Sequence, residues 1–110
     1  GATVVDSRAP ERYRGEHEPI DSRPGHIPGA RNVFHANNVD DTGHFRPLPE
    51  LIANFAGVGS RPIVYCGSGV TACHNLLAMS IANIHEARLY PGSWSEWSSD
   101  PDRPAATGAD

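Results

Sequence analysis

The stretch that decides the fold is residues 63–72, IVYCGSGVTA. It opens with three apolar residues typical of a buried strand, and Cys66 comes where that run ends. Gly67 and Gly69 follow in a short turn, and a helical pattern of apolar residues begins at about Val70. The stretch therefore predicts a strand, a cysteine-containing loop and a helix in direct succession.

Strand-like and helix-like segments alternate along the rest of the chain. The predicted strands cover 3–5, 31–34, 63–65 and 87–90, and the predicted helices cover 9–14, 49–55, 70–83 and 93–97. Ser7 is the candidate N-cap of the first helix, and residues 15–29 form a long loop rich in Pro and Gly. This order predicts an α/β domain with a small parallel sheet flanked by helices on both faces. Since ligands bind at the carboxyl ends of such strands, Cys66 lies at the favoured edge.

Composition limits the classes of function. The 110 residues fit one domain, 1–110, and the Pro-, Ala- and Gly-rich tail 100–110 is expected to be loosely ordered. A net charge of −4 argues against nucleic acid and anionic membranes as partners, and no apolar stretch is long enough to cross a bilayer. Two cysteines do not make a disulfide framework, so we expect a reducing, cytoplasmic compartment. Because the chain starts without Met and runs straight into a strand, we expect a fragment of a longer protein.

Cys66 is the candidate nucleophile. Main-chain N–H groups of a glycine-containing turn can point at the sulfur, and the start of a helix adds partial positive charge, so the position favours a thiolate. An ordinary buried cysteine is the plain alternative. A cysteine phosphatase is the sharper one, but that chemistry needs an Arg six positions later to clamp phosphate, where this chain has Ala72. The six His show no ligand-like spacing, so no metal site is predicted.

Several motifs, in order and spacing, give the chain a family resemblance. They are residues 5–8 (VDSR), 12–15 (RYRG), 18–19 (EP), 25–32 (GHIPGARN), 66–73 (CGSGVTAC) and 90–97 (YPGSWSEW). Together they resemble the rhodanese family, and specifically the carboxy-terminal, catalytic half of the two-domain sulfurtransferases. The resemblance implies a rhodanese-like α/β fold and a sulfurtransferase that needs no metal or cofactor. It also implies an amino-terminal rhodanese half as a partner.

The resemblance assigns roles to individual residues. Cys66 would carry the transferred sulfur as a persulfide, and the Ser68 hydroxyl would help to move protons near it. Arg12 matches the family residue that grips the substrate carboxylate, for which a bidentate guanidinium is well suited. The remaining loop residues complete the predicted substrate-binding set, which is Arg12, Gly67, Gly69, Val70 and Thr71.

The loop also favours one sulfur donor. Loops of thiosulfate enzymes carry Arg and Lys directly after the cysteine, whereas Gly67 and Ser68 are neutral and resemble the 3-mercaptopyruvate sulfurtransferases. There is one departure: mercaptopyruvate enzymes often have a second Arg where this chain has Ile20, and Arg14 or Arg23 is the candidate substitute. The expected donor is therefore mercaptopyruvate, with thiosulfate second. The expected acceptors are cyanide, a small thiol or a thioredoxin-like protein.

Other interpretations remain open on the sequence. A rhodanese-fold module that binds or regulates without transferring sulfur is the alternative to an enzyme, although such modules typically lose the cysteine. Asp6 and Arg8 are expected to form a structural ion pair beneath the loop. Cys73 is expected to be a small buried side chain, and Trp94 and Trp97 are expected to lie in the core or at an interface between halves.

Overall fold

The fold of the chain is a parallel sheet between helices, seen in a computed structural model that describes residues 2–67 and 69–109. The strands are β1 Val4–Asp6, β2 Arg31–Asn32, β3 Ile63–Tyr65 and β4 Arg88–Leu89. The helices are α1 Pro10–Arg14, α2 Leu48–Asn54, α3 Ala72–Ile81 and α4 Ser93–Ser99, with one 3₁₀ turn at His35–Asn38. The four strands run parallel in the order β2-β1-β3-β4, which confirms the predicted fold class.

The two central strands hold the site in place. Val5 pairs with Val64 and Asp6 pairs with Tyr65, so β1 and β3 end side by side. Cys66 and Ser7 are therefore neighbours in space, and the main-chain N–H of Ser7 donates to the carbonyl of Tyr65 at 2.8 Å. The carboxyl edge of the sheet thus brings together Ser7 and Cys66, although β2 and α2 lie between them in sequence.

The two faces of the sheet bury different clusters, because successive side chains in a strand point to opposite sides. Val5 and Val64 face an aliphatic cluster to which α2 and α3 contribute; its members include Leu51, Phe55, Ala72, Ala78 and Met79. Val4 and Tyr65 face an aromatic cluster with Tyr13, Ile27, Ala30 and Trp94. Trp94 is fully buried, as expected, and Trp97 packs against the edge of the same cluster.

A buried ion pair closes the carboxyl end of β1. Arg8 Nη2 lies 2.7 Å from Asp6 Oδ2, and the two side chains are 2% and 0% exposed. The guanidinium carbon also lies 5.1 Å from the centre of the Trp94 ring. The ion pair expected from the sequence is therefore present, and it joins the sheet to the aromatic cluster.

Several elements are shorter than predicted, α4 extends two residues further than predicted, and one predicted cap is absent. The helix after Cys66 covers Ala72–Ile81, not 70–83. The N-cap of α1 is Ala9, and the hydroxyl of Ser7 instead accepts a hydrogen bond from Asn75 at 2.8 Å. In the described part of the chain no helix is both long and apolar enough to span a bilayer.

The tail is attached to the domain, contrary to the expectation of a loosely ordered segment. Ala106 and His26 exchange two main-chain hydrogen bonds of 2.9 Å each, forming an antiparallel bridge. Arg23 donates to the carbonyls of Asp100 and Arg103, and Gly108 N–H donates to the carbonyl of Arg14. The tail therefore lines up along the long loop 15–29, and these main-chain bonds, which composition does not reveal, hold it there.

Candidate functional site

Cys66 lies directly after β3, under the loop that leads into α3. The residue is 1% exposed, and its sulfur accepts a hydrogen bond from the main-chain N–H of Gly69 at 3.0 Å. A main-chain N–H aimed at sulfur stabilises negative charge there more than it stabilises the neutral thiol. This is the arrangement that the glycine-containing turn predicts.

The chain after β4 holds Cys66 from the other side. The main-chain N–H of Cys66 donates to the Ser93 hydroxyl at 3.1 Å, and the carbonyl of Cys66 accepts from Trp94 N–H at 2.9 Å. One residue further, Ser95 N–H donates to the carbonyl of Gly67 at 2.8 Å. Both main-chain groups of Cys66 are therefore satisfied by residues 93 and 94.

Gly69 is required where it lies. Its φ is +98°, in the region that L residues rarely adopt, and a Cβ there would lie 2.6 Å from the carbonyl oxygen of Pro91. The loop therefore packs backbone to backbone against the segment after β4. This close approach is what keeps the Gly69 N–H directed at the sulfur.

A small pocket of about 150 Å³ opens beside the loop. It is lined by Arg12, Ile20, Asp21, Gly67, Thr71 and Ser95. The Arg12 guanidinium packs over Gly67, since a Cβ added to Gly67 would lie 3.3 Å from both Nη atoms. The structure thus brings the predicted carboxylate-binding Arg to the residue next to the predicted nucleophile, although Cys66 itself does not line the pocket.

Two carboxylates hold the Arg12 guanidinium. Its Nη2 lies 3.1 Å from Asp21 Oδ2 and 3.3 Å from Glu18 Oε2. Burial alone would raise the pKa of Glu18, but the main-chain N–H groups of Asp21 and Ile20, with Arg12 and Arg8, hold that pKa below its ordinary value. Both acids therefore offset the positive charge of Arg12. The pocket thus offers the N–H groups of the guanidinium as hydrogen-bond donors without a large net positive charge.

The other predicted residues fall in different places. Thr71 lines the pocket, Val70 is exposed at 75%, and Ser68 lies outside the described residues. Cys73 is exposed, not buried, and its thiol faces the carbonyl of Gly69 at 3.6 Å. The predicted burial of Cys73 is wrong because α3 begins only at Ala72, which places the Cys73 side chain on the exposed side of the first helical turn.

The candidate substitutes for a second Arg are engaged elsewhere. Arg14 pairs with Glu16 at 2.9 Å on the surface, and Arg23 donates to the carbonyls of Ser98, Asp100 and Arg103. Neither lines the pocket, where Ile20 occupies the corresponding wall with 78% of its surface exposed. These two residues therefore do not supply the second carboxylate-binding Arg that the resemblance leads us to expect.

Sequence reasoning missed three residues of the site. The Ser93 hydroxyl accepts the main-chain N–H of Cys66, Asp21 holds Arg12, and the Ser95 hydroxyl donates to Asp21 Oδ1. Their signal was present in the motif at 90–97 and in the loop 15–29, but nothing in the sequence shows which hydroxyl or carboxylate reaches across. Larger depressions of about 350 and 630 Å³ lie at Arg61 and along β4, away from Cys66.

Comparison with known proteins agrees with this geometry. Residues 1–100 match the Rhodanese-like domain family. The chain belongs to that family. A Pseudomonas aeruginosa protein named "Probable 3-mercaptopyruvate sulfurtransferase" is 50% identical over 98% of this rhodanese domain. A Mycobacterium tuberculosis protein that carries a thiosulfate sulfurtransferase name is 47% identical over 98% of it.

Both relatives are longer than this domain. The chain spans 40% of the Pseudomonas aeruginosa protein and 39% of the Mycobacterium tuberculosis protein. Among solved structures, EanB in a cysteine-persulfide state with ergothioneine matches with a TM-score of 0.88 and 25% identity. That match covers 98% of this chain and 29% of EanB, so the rhodanese domain recurs as one part of a larger protein.

Substituting Gly69 with Ala tests the close approach to Pro91. The variant adds a methyl group 2.6 Å from a carbonyl oxygen at a φ of +98°. We expect a loss of unfolding free energy well above the roughly 1 kcal/mol that a left-handed φ costs an L residue, together with slower alkylation of Cys66. Urea denaturation and the rate of iodoacetamide labelling measure the two effects.

Gly43→Ala is the matched control, because Gly43 has a φ of +85° and, in the part of the chain that the structure describes, no atom lies within 4 Å of an added Cβ. It should show the φ cost alone and label Cys66 at the original rate. Equal losses of stability at the two positions, with unchanged labelling in both variants, would show that the contact with Pro91 does not shape the loop.

Proposed function

We propose that this rhodanese domain is a sulfurtransferase that moves sulfur from an anionic donor to a thiol or cyanide through a persulfide on Cys66. The proposal rests above all on the position of Cys66. Its sulfur accepts the Gly69 N–H, and the Arg12 guanidinium packs over Gly67, the next residue in the chain. A nucleophile and an anion-binding group are thus adjacent. The names of the two relatives and the persulfide in EanB support the same chemistry.

The first half of the reaction loads sulfur onto the enzyme. The Cys66 thiolate attacks the sulfur of 3-mercaptopyruvate, an S–S bond forms, and the C–S bond breaks. The electron pair of that bond leaves with carbon as the enolate of pyruvate, which takes up a proton. The Gly69 N–H, already 3.0 Å from Sγ, then remains available to the outer sulfur or to the thiolate.

The second half returns the enzyme to its thiolate form. A thiolate or cyanide attacks the outer sulfur of the persulfide, and the S–S electron pair returns to Cys66. A small thiol and a thioredoxin-like protein are the proposed physiological acceptors, in a reducing, cytoplasmic compartment where Cys66 stays free.

The charge of the pocket favours a monoanionic donor. Arg12 can bind one carboxylate, but Glu18 and Asp21 already offset its charge, and Ile20 adds an apolar wall where a second cation would attract a dianion. A keto acid with one carboxylate and a short carbon chain suits such a pocket better than thiosulfate does. Mercaptopyruvate is therefore the proposed donor.

Thiosulfate is the second candidate, because the 47% identical Mycobacterium tuberculosis relative carries that name. A binding module without activity is a weaker interpretation, since the cysteine is present and its sulfur is hydrogen bonded by the loop. Intact mass after exposure to each donor separates these three interpretations, because it shows which donor, if any, transfers sulfur.

The first test is the intact mass of the reduced protein after exposure to 3-mercaptopyruvate or, separately, to thiosulfate. We expect a gain of one sulfur atom from mercaptopyruvate that disappears in Cys66→Ser. Cys73→Ser is the matched control, because that second thiol is exposed yet has no proposed role, so its variant should still gain the sulfur. A gain from thiosulfate alone would replace the donor, and no gain from either would contradict the proposed activity.

The second test concerns the carboxylate-binding Arg. Arg12→Ala should raise KM for mercaptopyruvate by about 10- to 100-fold, because a charge-assisted hydrogen bond is lost and two carboxylates are left uncompensated. Arg14→Ala is the control: it lies on the same helix but pairs with Glu16 on the surface. Steady-state pyruvate release measures both, and an unchanged KM in Arg12→Ala would remove this residue from the binding site.

We also propose that an amino-terminal rhodanese half covers the apolar residues around the loop. Ile20 is 78% exposed and Val70 is 75% exposed on either side of the pocket, and Leu77 continues the same exposed face of α3 at 54%. About 60% of the length of each relative lies outside the part that this chain spans, which is enough for a covering domain. We expect a chain extended to that length to have a higher kcat/KM than the 110-residue domain; equal values would argue against this partner.

A further inference from the structure

Ser93 lies at a strained position in the structure. Its φ is +55°, in the left-handed region, and it is one of two non-glycine residues with positive φ in the described part of the chain. It is also fully buried, at the first residue of α4. A buried L residue held in this conformation must be fixed by surrounding contacts, and such positions cluster at functional sites.

The Ser93 hydroxyl makes two of these contacts. It donates to the carbonyl of Tyr90 at 2.9 Å and accepts the main-chain N–H of Cys66 at 3.1 Å. The first bond fixes the orientation of the hydroxyl, so its lone pair faces the nucleophile. The left-handed backbone then turns the next N–H group, that of Trp94, onto the carbonyl of Cys66.

The effect extends to the sulfur through a short path. If the peptide before Cys66 rotates, the Cα–Cβ bond of Cys66 rotates with it, and Sγ moves relative to the Gly69 N–H. That N–H is independently fixed, because Gly69 packs against the carbonyl of Pro91. The Cys66 main chain and the Gly69 N–H are thus both held by neighbouring residues of one segment, 91–94.

We propose that Ser93 is a positioning residue that keeps the Cys66 sulfur aligned with the Gly69 N–H and so maintains the reactive thiolate. The inference rests on the proposed role of Cys66 as the nucleophile. It assigns the reactivity of this thiol in part to a hydroxyl that lies 27 residues away in sequence and does not contact the donor pocket.

The test uses two variants that lack the hydroxyl but differ in backbone strain. Ser93→Ala keeps the strained φ, whereas Ser93→Gly relieves it, since glycine adopts positive φ freely. If the hydroxyl matters, both variants should label with iodoacetamide about tenfold more slowly at neutral pH. Arg12 and Asp21, the charged groups of the adjoining pocket, are unchanged in both.

Ser98→Ala is the matched control, because Ser98 is a buried serine on the same helix whose hydroxyl oxygen has no hydrogen-bond partner among the described residues. It should label at the original rate. Thermal melting identifies variants that fail to fold, and Ser93→Gly is expected to remain folded. Original labelling in a folded Ser93→Gly would overturn the proposal, as would a rate loss confined to Ser93→Ala, which would indicate strain alone.

Alkylation does not depend on sulfur transfer, so this result is separate from the proposed activity. Ser93 variants with altered labelling and a parent protein that takes sulfur from no donor would support the positioning role while contradicting the sulfurtransferase. Original labelling in the Ser93 variants, with a normal persulfide on the parent protein, would do the reverse.

Discussion

The buried guanidinium of Arg8 lies between the end of β1, the long loop and the aromatic cluster. It pairs with Asp6, donates to the carbonyl of Gly25, and lies over the rings of Trp94 and Tyr65. A buried cation is stable only when its partners are fully supplied, and removing one such partner costs several kcal/mol. This requirement ties the sheet, the loop 15–29 and the start of α4 into one arrangement.

The same arrangement reaches the pocket beside Arg12 through Glu18. Arg8 Nη1 lies 3.4 Å from Glu18 Oε1, while the other carboxylate oxygen of Glu18 lies 3.3 Å from Arg12. Glu18 also accepts the N–H groups of Ile20 and Asp21, so its carboxylate orders the turn that forms one wall of the pocket. The lowered pKa of Glu18 means that the carboxylate stays charged over the neutral range and keeps both guanidinium groups in place. The position of Arg12 is therefore a consequence of the buried network.

The parts of this structure that could be predicted from sequence are those in which neighbouring residues determine each other. The run before Cys66, the glycines after it and the apolar pattern of α3 predict a strand, a loop and a helix, and these are present. Cys66 is predicted as the nucleophile from its local sequence, and Arg12 is predicted as the carboxylate-binding residue from the family motif. The tail was mispredicted because its order comes from main-chain bonds between Ala106 and His26, which lie 80 residues apart and leave no mark on composition.

Ser93 shows why the rest was harder to predict. A serine after Pro-Gly is typical of a turn or a helix start, and that interpretation is complete without any long-range contact. The contact arises only because β3 and β4 pair in parallel, with Val64 opposite Leu89, which brings the residues after both strands to the same edge. In a parallel sheet every strand delivers its following residues to that edge, so a nucleophile after one strand is necessarily next to the turn after its neighbour. The groups that orient Cys66 therefore come from the strand order, and a single sequence does not state that order.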